Sequence, residues 1–230
     1  TTDLNNDSLF YIFDWGDGNI SSLLGPYLSG ENVSANHIWK QPGEYKIRIK
    51  AIDNTSRISK WSENLTINVY SILIDSNQST FNRGFPIRHA SDGDWAGAQD
   101  FLPTLSTFTK GEIYLRKFGT PEFNLTVELR TDGPQGTLID TLTFSPDEIP
   151  TSWTWLEIDF SDVTVIPGTQ YFIVCPPAPI GVTTSFGYEW GYAFGNQYND
   201  GSFWFTRDGG GLWRDLPTMY EFVFRTYGYS

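Results

Sequence analysis

The stretch Phe13-Asp14-Trp15-Gly16-Asp17-Gly18-Asn19-Ile20 decides the fold that is predicted for the first third of this chain. It comes at the end of an alternating apolar run. It is open to interpretation as a calcium loop, as a pair of catalytic carboxylates, or as a turn between two strands. Calcium needs six or more oxygen ligands, and only Asp14 and Asp17 are close together here. No general base or nucleophile stands beside them. Glycine permits positive φ and aspartate accepts bonds from nearby backbone N–H groups, so we expect a turn.

Further motifs follow this stretch in a fixed order. His37-Ile38-Trp39 comes first, then Pro42-Gly43-Glu44-Tyr45, then an alternating run over residues 46–53. Over about 60 residues this order resembles that of the PKD family, an immunoglobulin-like β-sandwich common in extracellular proteins. The resemblance implies that Trp15, Trp39 and Tyr45 are core or corner residues. It also implies that His37 is a hydrogen-bonded packing residue and not a ligand.

Composition excludes several function classes. The formal net charge is −12 and the pI is about 4.4, so the chain would repel a phosphate backbone and nucleic-acid binding is not expected. Basic residues are scattered, and no apolar run approaches the ~20 residues that span a bilayer, so no membrane contact is expected. Aromatic residues make up 17% of the chain and supply enough apolar area for a sizeable core.

Short alternating runs separated by Gly, Pro, Asn and Asp predict strands along the whole chain. No window has helical periodicity, so we predict an all-β protein of two sandwiches. Residues 1–72 form the PKD/Ig-like sandwich, and residues 73–230 form a larger jelly-roll-like sandwich. The acidity belongs to the second domain, where nine basic residues face nineteen acidic ones.

Strand-edge patterns of the second domain resemble jelly-roll-type domains that accompany PKD domains in archaeal surface proteins. A separate motif, Thr206-Arg207-Asp208-Gly209-Gly210-Gly211-Leu212-Trp213, resembles the Asp box, with Leu212 where that motif has a small hydroxyl residue. The resemblance implies a β-hairpin in which Asp208 bonds the turn backbone and Trp213 packs beneath it. It does not imply sialidase chemistry.

Four aromatic residues are the candidate glycan-stacking set. Tyr188, Trp190 and Tyr192 share one strand face by alternation, and Trp204 lies in the next aromatic run. Exposed rings stack on sugar faces, and nearby polar groups bond sugar hydroxyls. The alternative is that this face belongs to the core.

A structural calcium ion is the one cofactor for which the sequence offers ligands. Asp92, Asp94 and Glu221 could supply oxygens, because sugar-binding jelly-roll modules often hold calcium between an early acidic loop and a strand near the C-terminus. No other cofactor is expected.

Glycosylation sequons are over-represented. Seven of the thirteen asparagines begin Asn-x-Ser/Thr, although chance would give roughly two or three. This excess predicts a secreted, N-glycosylated protein, and the start Thr1-Thr2-Asp3 suggests a mature form or an excised fragment. The seven asparagines are Asn6, Asn19, Asn32, Asn54, Asn64, Asn77 and Asn124.

No catalytic set emerges from the sequence. The two histidines, His37 and His89, fall in different predicted domains, and the lone Cys175 ends an apolar strand. We therefore predict a non-catalytic extracellular surface protein, a structural or adhesive unit of a coat, sheath or filament. Its expected partners are other copies of itself, for instance through residues 1–8 added to a neighbour's sheet edge, other surface proteins, or glycans. The alternative is a pair of carbohydrate-binding modules from a larger secreted enzyme.

Overall fold

The structure is a computed structural model that describes Thr2, Asn5 and residues 7–90, 93–179 and 186–230. It divides into two compact units, Thr1–Ser71 and Ile72–Ser230. Within the described residues the regular structure is strands and one 3₁₀ turn, Pro146–Glu148, so the predicted all-β class is confirmed. Nowhere in those residues is there a helix of the length and apolar character that a membrane span requires.

The first unit is built on a four-stranded antiparallel sheet in the order β2-β1-β3-β4. Along β1 buried and half-buried residues alternate, because one face of the strand packs on the core. The buried core consists of Leu9, Tyr11, Phe13, Trp15 and Ala51. The strands are β1 (Leu9–Asp14), β2 (Leu24–Tyr27), β3 (Gly43–Asp53) and β4 (Leu65–Val69).

The aspartate–glycine stretch forms the turn that the sequence predicts. Gly16 and Gly18 have φ of +78° and +88°, and a Cβ on Gly16 would lie 2.7 Å from the backbone nitrogen of Lys46. Asp14 Oδ1 accepts from the N–H of Gly16 at 3.1 Å, and Asp17 Oδ1 accepts from the N–H of Asn19 at 3.0 Å. Both carboxylates therefore hold the backbone of the turn in place.

His37 is a packing residue, in agreement with the family resemblance. Its ring stacks on Trp15 with 4.9 Å between centroids and 6° between planes, and it meets Trp39 edge-on. His37 Nε2 lies 2.8 Å from Asp17 Oδ2, which links the stack to the turn. Trp39 Nε1 donates to the carbonyl of Trp15 at 3.1 Å.

Three serines complete the edges of strands β1 and β3 in the same way. Ser59 accepts from the N–H of Ala51 through its hydroxyl, donates its own N–H to the carbonyl of Ala51, and donates its O–H to the carbonyl of Lys60. Ser62 repeats the arrangement on Ile49, and Ser21 repeats it on Phe13. Each hydroxyl satisfies a strand N–H where regular pairing has ended.

The second unit has fourteen strands. They are β5 (Leu73–Gln78), β6 (Arg83–Ala90), β7 (Gly93–Phe101), β8 (Thr107–Phe118), β9 (Leu125–Thr131), β10 (Leu138–Phe144), β11 (Thr154–Ile158), β12 (Val163–Thr164), β13 (Tyr171–Cys175), β14 (Gly187–Phe194), β15 (Phe203–Thr206), β16 (Arg214–Asp215), β17 (Tyr220–Phe222) and β18 (Phe224–Tyr229).

These strands form two layers around one core. One layer has the order β6-β14-β8-β18-β5. Strands β14 and β18 follow each other along one edge of β8, whereas β11 and β12 pair with its opposite edge, and β17 lies beside β14. The other has the order β10-β9-β13-β7, with β15 beside β7 and β16 beside β15. The β6–β7 hairpin joins the layers through the pair Arg88–Trp95. The large apolar cluster between them draws side chains from both layers.

Strand β13 is buried on both of its faces. Ile173 and Cys175 belong to the main core, whereas Phe172 and Val174 belong to a smaller cluster that is covered by Trp204 and Trp213. Burial raises the pKa of the Cys175 thiol, so this side chain is an inert apolar filler, as the sequence predicts.

Candidate functional site

The predicted glycan-stacking set is wrong for two of its four residues. Tyr188 and Trp190 do share one face of β14, but they are 0% and 1% exposed. Tyr188 Oη donates to the carbonyl of Phe123 at 2.6 Å, and Trp190 Nε1 donates to that of Val223 at 3.0 Å. Both rings fill the core because the face they share points between the two layers.

The other two members of that set are half-buried, and neighbouring aromatic side chains pack against their rings. Tyr192 packs against Phe203 and Tyr220, with centroids 5.6 Å and 5.5 Å away. Trp204 packs edge-on against Phe172 at 5.9 Å, on the outer side of the second layer. They lie in different layers and do not form one platform with each other.

The predicted calcium ligands do not come together in the described residues. Asp92 lies outside those residues, Asp94 forms an ion pair with His89, and Glu221 is fully buried on β17. Among the residues that the structure describes, no group of three or more His, Cys, Asp or Glu side chains could hold a metal ion.

Glu221 is instead part of a buried polar cluster with Asp100. Gln99 Nε2 donates to Glu221 Oε2 at 2.7 Å, and Asp100 accepts from Gln170 and from the backbone N–H of Ser202. Burial raises the pKa of Glu221 to about 8 and that of Asp100 to about 6, and the Asp100 charge adds to the rise at Glu221. Neutral donors hold both carboxyls, and burial makes their ionised forms costly.

The Asp208 side chain holds the backbone of its own turn. Asp208 Oδ1 accepts from Thr206 Oγ1 at 2.6 Å and from the N–H of Leu212 at 3.0 Å. Trp213 packs against the smaller apolar cluster that it shares with Trp204. The hydrogen bonds of the Asp208 carboxylate go to its own turn, which is a structural role.

A row of aromatic rings lies on the outer side of β8 and its neighbours, away from the core. We call these rings, Phe81, Tyr114, Trp153, Trp155 and Tyr227, the aromatic face. Tyr114 stacks on Trp153 with 5.5 Å between centroids and 19° between planes. Trp155 lies 5.3 Å from Tyr114, its partner across the strands. Phe81 lies 4.6 Å from Trp153. All five rings are half-buried or exposed.

Two glycines form the floor beneath these rings. Gly84 of β6 and Gly191 of β14 are directly paired across the strands. A Cβ on Gly84 would lie 2.9 Å from Trp153, and a Cβ on Gly191 would lie 3.0 Å from Phe81 and 3.1 Å from the carbonyl oxygen of Tyr114. Because these two positions have no side chain, the rings of Trp153 and Phe81 can approach the backbone of the sheet closely.

Three cations on this side of the sheet are paired with carboxylates. Arg116 lies 2.7 Å from Glu189, Arg225 lies 3.2 Å from Glu112, and Lys110 pairs with Glu157. Tyr227 Oη also donates to Glu112 at 2.7 Å. The three pairs cancel, so these groups give the aromatic face no net charge within a strongly acidic chain.

The guanidinium groups also stack on the rings. The Arg225 guanidinium lies 3.9 Å from the centroid of Trp155, and that of Arg116 lies 4.9 Å from the centroid of Trp153. Beside Trp155 there is a depression of about 230 Å³, lined by Ser79, Phe81, Tyr114, Trp155, Val223 and Arg225. The arrangement offers apolar ring surface next to fixed hydrogen-bonding groups.

Sequence reasoning missed Trp153 and Trp155, although a signal was present. Trp153, Trp155 and Glu157 share one face of β11, whereas Leu156, Ile158 and Phe160 share the other. The purely apolar face belongs in the core, so the tryptophans lie on the face that carries the charge. The same test places Glu189 outside and Trp190 inside.

The six predicted sequon asparagines that the structure describes are all exposed, and Asn6 lies outside the described residues. They are Asn19, Asn32, Asn54, Asn64, Asn77 and Asn124. Exposure is necessary for a glycan to be carried by a folded protein, so all six remain predicted sites.

Comparison with known proteins identifies one domain. The family model of the PKD domain matches residues 2–66, as the motif order predicts. No curated protein matches the chain. One solved structure, titled "Structural basis for the promiscuous specificity of the carbohydrate-binding modules from the beta-sandwich super family", is 11% identical and has a TM-score of 0.23. The match covers 95% of this chain and 86% of that one, and its superposition is too loose to support an argument.

Proposed function

We propose that this chain is a non-catalytic extracellular protein whose second unit binds uncharged glycans on the aromatic face. PKD domains are common in extracellular proteins, and the excess of sequons, six of them on exposed asparagines, supports the same location. The observation that carries the binding function is the group of outward-facing rings beside the depression, with Phe81 and Trp153 packed close over the paired glycines Gly84 and Gly191.

The rings suit sugars because a pyranose has a flat apolar side and a rim of hydroxyls. Trp155 and Tyr114 supply apolar area at the wall of the depression, and Ser79 and Arg225 line it with hydrogen-bonding groups. Rings already fixed by their neighbours lose little conformational entropy when a ligand binds.

Charge pairing favours uncharged sugars. Arg116, Arg225 and Lys110 already have carboxylate partners, so an anionic sugar would have to displace a carboxylate or bind as an additional charge. The net charge of −12 would also repel a polyanion. An uncharged glycan meets neither cost, and its binding would depend little on salt.

Affinity electrophoresis in gels containing neutral polysaccharides, with polygalacturonate as the acidic comparison, tests this function. We expect retardation by at least one neutral polysaccharide and loss of retardation in Trp155→Ala and Trp153→Ala. Trp61→Ala is the matched control, because Trp61 is also half-buried beneath cations but belongs to the first unit. Retardation that survives both substitutions in the second unit would contradict the proposal.

A second candidate role is a structural or adhesive unit of a coat, sheath or filament. The observation that favours it is the β5 edge of the second unit, where Leu73 and Ile74 are exposed on the last strand of the layer. Edge strands can pair with another copy of the chain. Light scattering over a concentration series tests this role, and a molecular mass that stays monomeric at the highest concentration would exclude self-assembly.

A further inference from the structure

We propose that Asn77 carries an N-glycan and that the sugars nearest the protein lie across the aromatic face of the same chain. This inference rests on the proposed function, because it names the ligand that occupies that face. Asn77 begins the sequon Asn77-Gln78-Ser79, and its side chain is exposed. The argument is the position of this asparagine in the sheet.

Asn77 stands at one end of a single row of side chains. On the outer side of the layer, Asn77 of β5 is paired with Arg225 of β18, Arg225 with Glu112 of β8, and Glu112 with Glu157 of β11. Residues paired directly across strands point to the same face. Asn77 therefore projects on the same side of the sheet as Tyr114 and Trp155.

The distances suit a short oligosaccharide. Neighbouring strands are about 4.8 Å apart, so Asn77 lies about 10 Å from the backbone of β8 and one strand farther from β11. Ser79, the hydroxyl residue of the sequon, itself lines the depression beside Trp155. A glycan on Asn77 thus begins at the rim of the depression that we assign to sugar binding.

The companion sequon of this unit lies elsewhere. Asn124 comes just before β9, which is a strand of the other layer. The side chain of the next residue, Leu125, is buried in the core. A glycan on Asn124 would leave the outer side of β8 bare. Asn124→Gln is therefore the matched control for Asn77→Gln.

The covalent step is an ordinary transfer. The Asn77 amide nitrogen forms a bond to the anomeric carbon of an oligosaccharide carried on a polyprenyl phosphate donor. The bond from that carbon to the donor phosphate oxygen breaks, the amide gives up one proton, and the lipid phosphate leaves.

A tethered glycan competes with external sugar. A ligand attached through a short linker has an effective concentration in the millimolar range, so it would occupy a face whose affinity for single chains is of that order. An effective concentration equal to the dissociation constant fills the face half of the time, so we expect protein with an occupied Asn77 to bind external neutral polysaccharide about twofold more weakly than Asn77→Gln does.

The experiment uses protein from a host with N-glycosylation. Mass spectrometry of the Asn77 peptide gives occupancy, and NMR of the tryptophan indoles compares wild type with Asn77→Gln and Asn124→Gln. We expect Asn77 to be occupied, the Trp153 and Trp155 indoles to shift in Asn77→Gln, and wild-type positions in Asn124→Gln.

An unoccupied Asn77, or indole positions that do not change in Asn77→Gln, would overturn this inference. The proposed function fails separately, if unglycosylated Asn77→Gln binds none of the neutral polysaccharides.

Discussion

Gly84 and Gly191 face each other across β6 and β14, and the rings of Trp153 and Phe81 lie where their side chains would be. The two positions differ in what an added methyl group would meet. At Gly84 the nearest atoms are the end of the Trp153 side chain, whereas at Gly191 they include the backbone oxygen of Tyr114. A side chain can move away, but a backbone carbonyl in a central strand cannot.

We therefore expect Gly84→Ala to weaken polysaccharide retardation while changing the free energy of unfolding by less than about 1 kcal/mol. Gly191→Ala should lower that free energy by about 1–3 kcal/mol, because overpacking forces the backbone to shift. Urea unfolding followed by circular dichroism measures both. Equal destabilisation by the two substitutions would contradict the floor that we describe.

Substitution of two tryptophans on opposite faces of the same layer should lower the free energy of unfolding by very different amounts. Trp190 is buried, stacks on Phe222 at 4.2 Å and donates to a backbone carbonyl, so Trp190→Ala should cost about 3–5 kcal/mol. Trp155 contacts Arg225 on the outer side, so Trp155→Ala should cost ~1 kcal/mol. Urea midpoints at constant slope would establish the order, and the reverse order would refute the assignment of the two faces.

The stability of the second unit should fall as pH rises through neutrality. Burial raises the pKa of Glu221 to about 8 and that of Asp100 to about 6, so between about pH 5 and about pH 8 the folded state holds more protons than the unfolded state. Stability is then present at mildly acidic pH and is lost as pH rises through these values. Glu221→Gln keeps an acceptor for Gln99 and should flatten this decline.

The first unit should respond to acid in the opposite sense. A hydrogen bond from His37 lowers the pKa of Asp17 to about 2, and one from Arg48 lowers the pKa of Asp14. Their contribution is present above the ordinary aspartate pKa of 3.8 and is lost as pH falls toward about 2. Calorimetry from about pH 2 to about pH 8 should show two transitions. The midpoint temperature of the first unit should fall in acid, and that of the second unit should fall as pH rises through neutrality. Two transitions moving together would contradict both assignments.

Removal of one serine hydroxyl should uncouple the edge of β3. Ser59→Ala leaves the N–H of Ala51 without its acceptor, which should cost about 1–2 kcal/mol and raise hydrogen exchange at that amide. Ser22→Ala is the control, because Ser22 is exposed and contributes its carbonyl to the Ser21 bond, not its hydroxyl. An unchanged exchange rate at Ala51 would show that the hydroxyl bond is dispensable.

The sequence predicts strands, turns and the first unit well because each depends on local chemistry. The turn at Asp14 needs glycines at positive φ, and the stack of Trp15 on His37 follows from a motif order that can be read directly. Alternation also groups Tyr188, Trp190 and Tyr192 correctly on one face. These inferences use only the two-residue period of a strand.

Alternation alone does not decide which face of a strand is inside, and the predicted glycan-stacking set depended on that choice. The rings of Tyr188 and Trp190 suggested a platform, but the neighbouring Glu189 needs water and Arg116, so the rings turn inward. The rings of the aromatic face come from β8, β11, β18 and the residues just before β6 and β11, which are far apart in the chain. Pairings of that range are decided by how the layers close around the core.

Strand β8 pairs with β11 and β12 along one edge and with β14 and β18 along the other. Ile113 and Tyr114 are consecutive on this strand. Ile113 is buried in the core, and Tyr114 is half-buried on the outer face. One residue inserted in the middle of this strand would move every later side chain to the opposite face of the sheet. The four partner strands would keep their register, so core side chains would point outward and outer side chains would point into the core. Length variation among natural homologues should therefore spare this segment and accumulate in the connections around it.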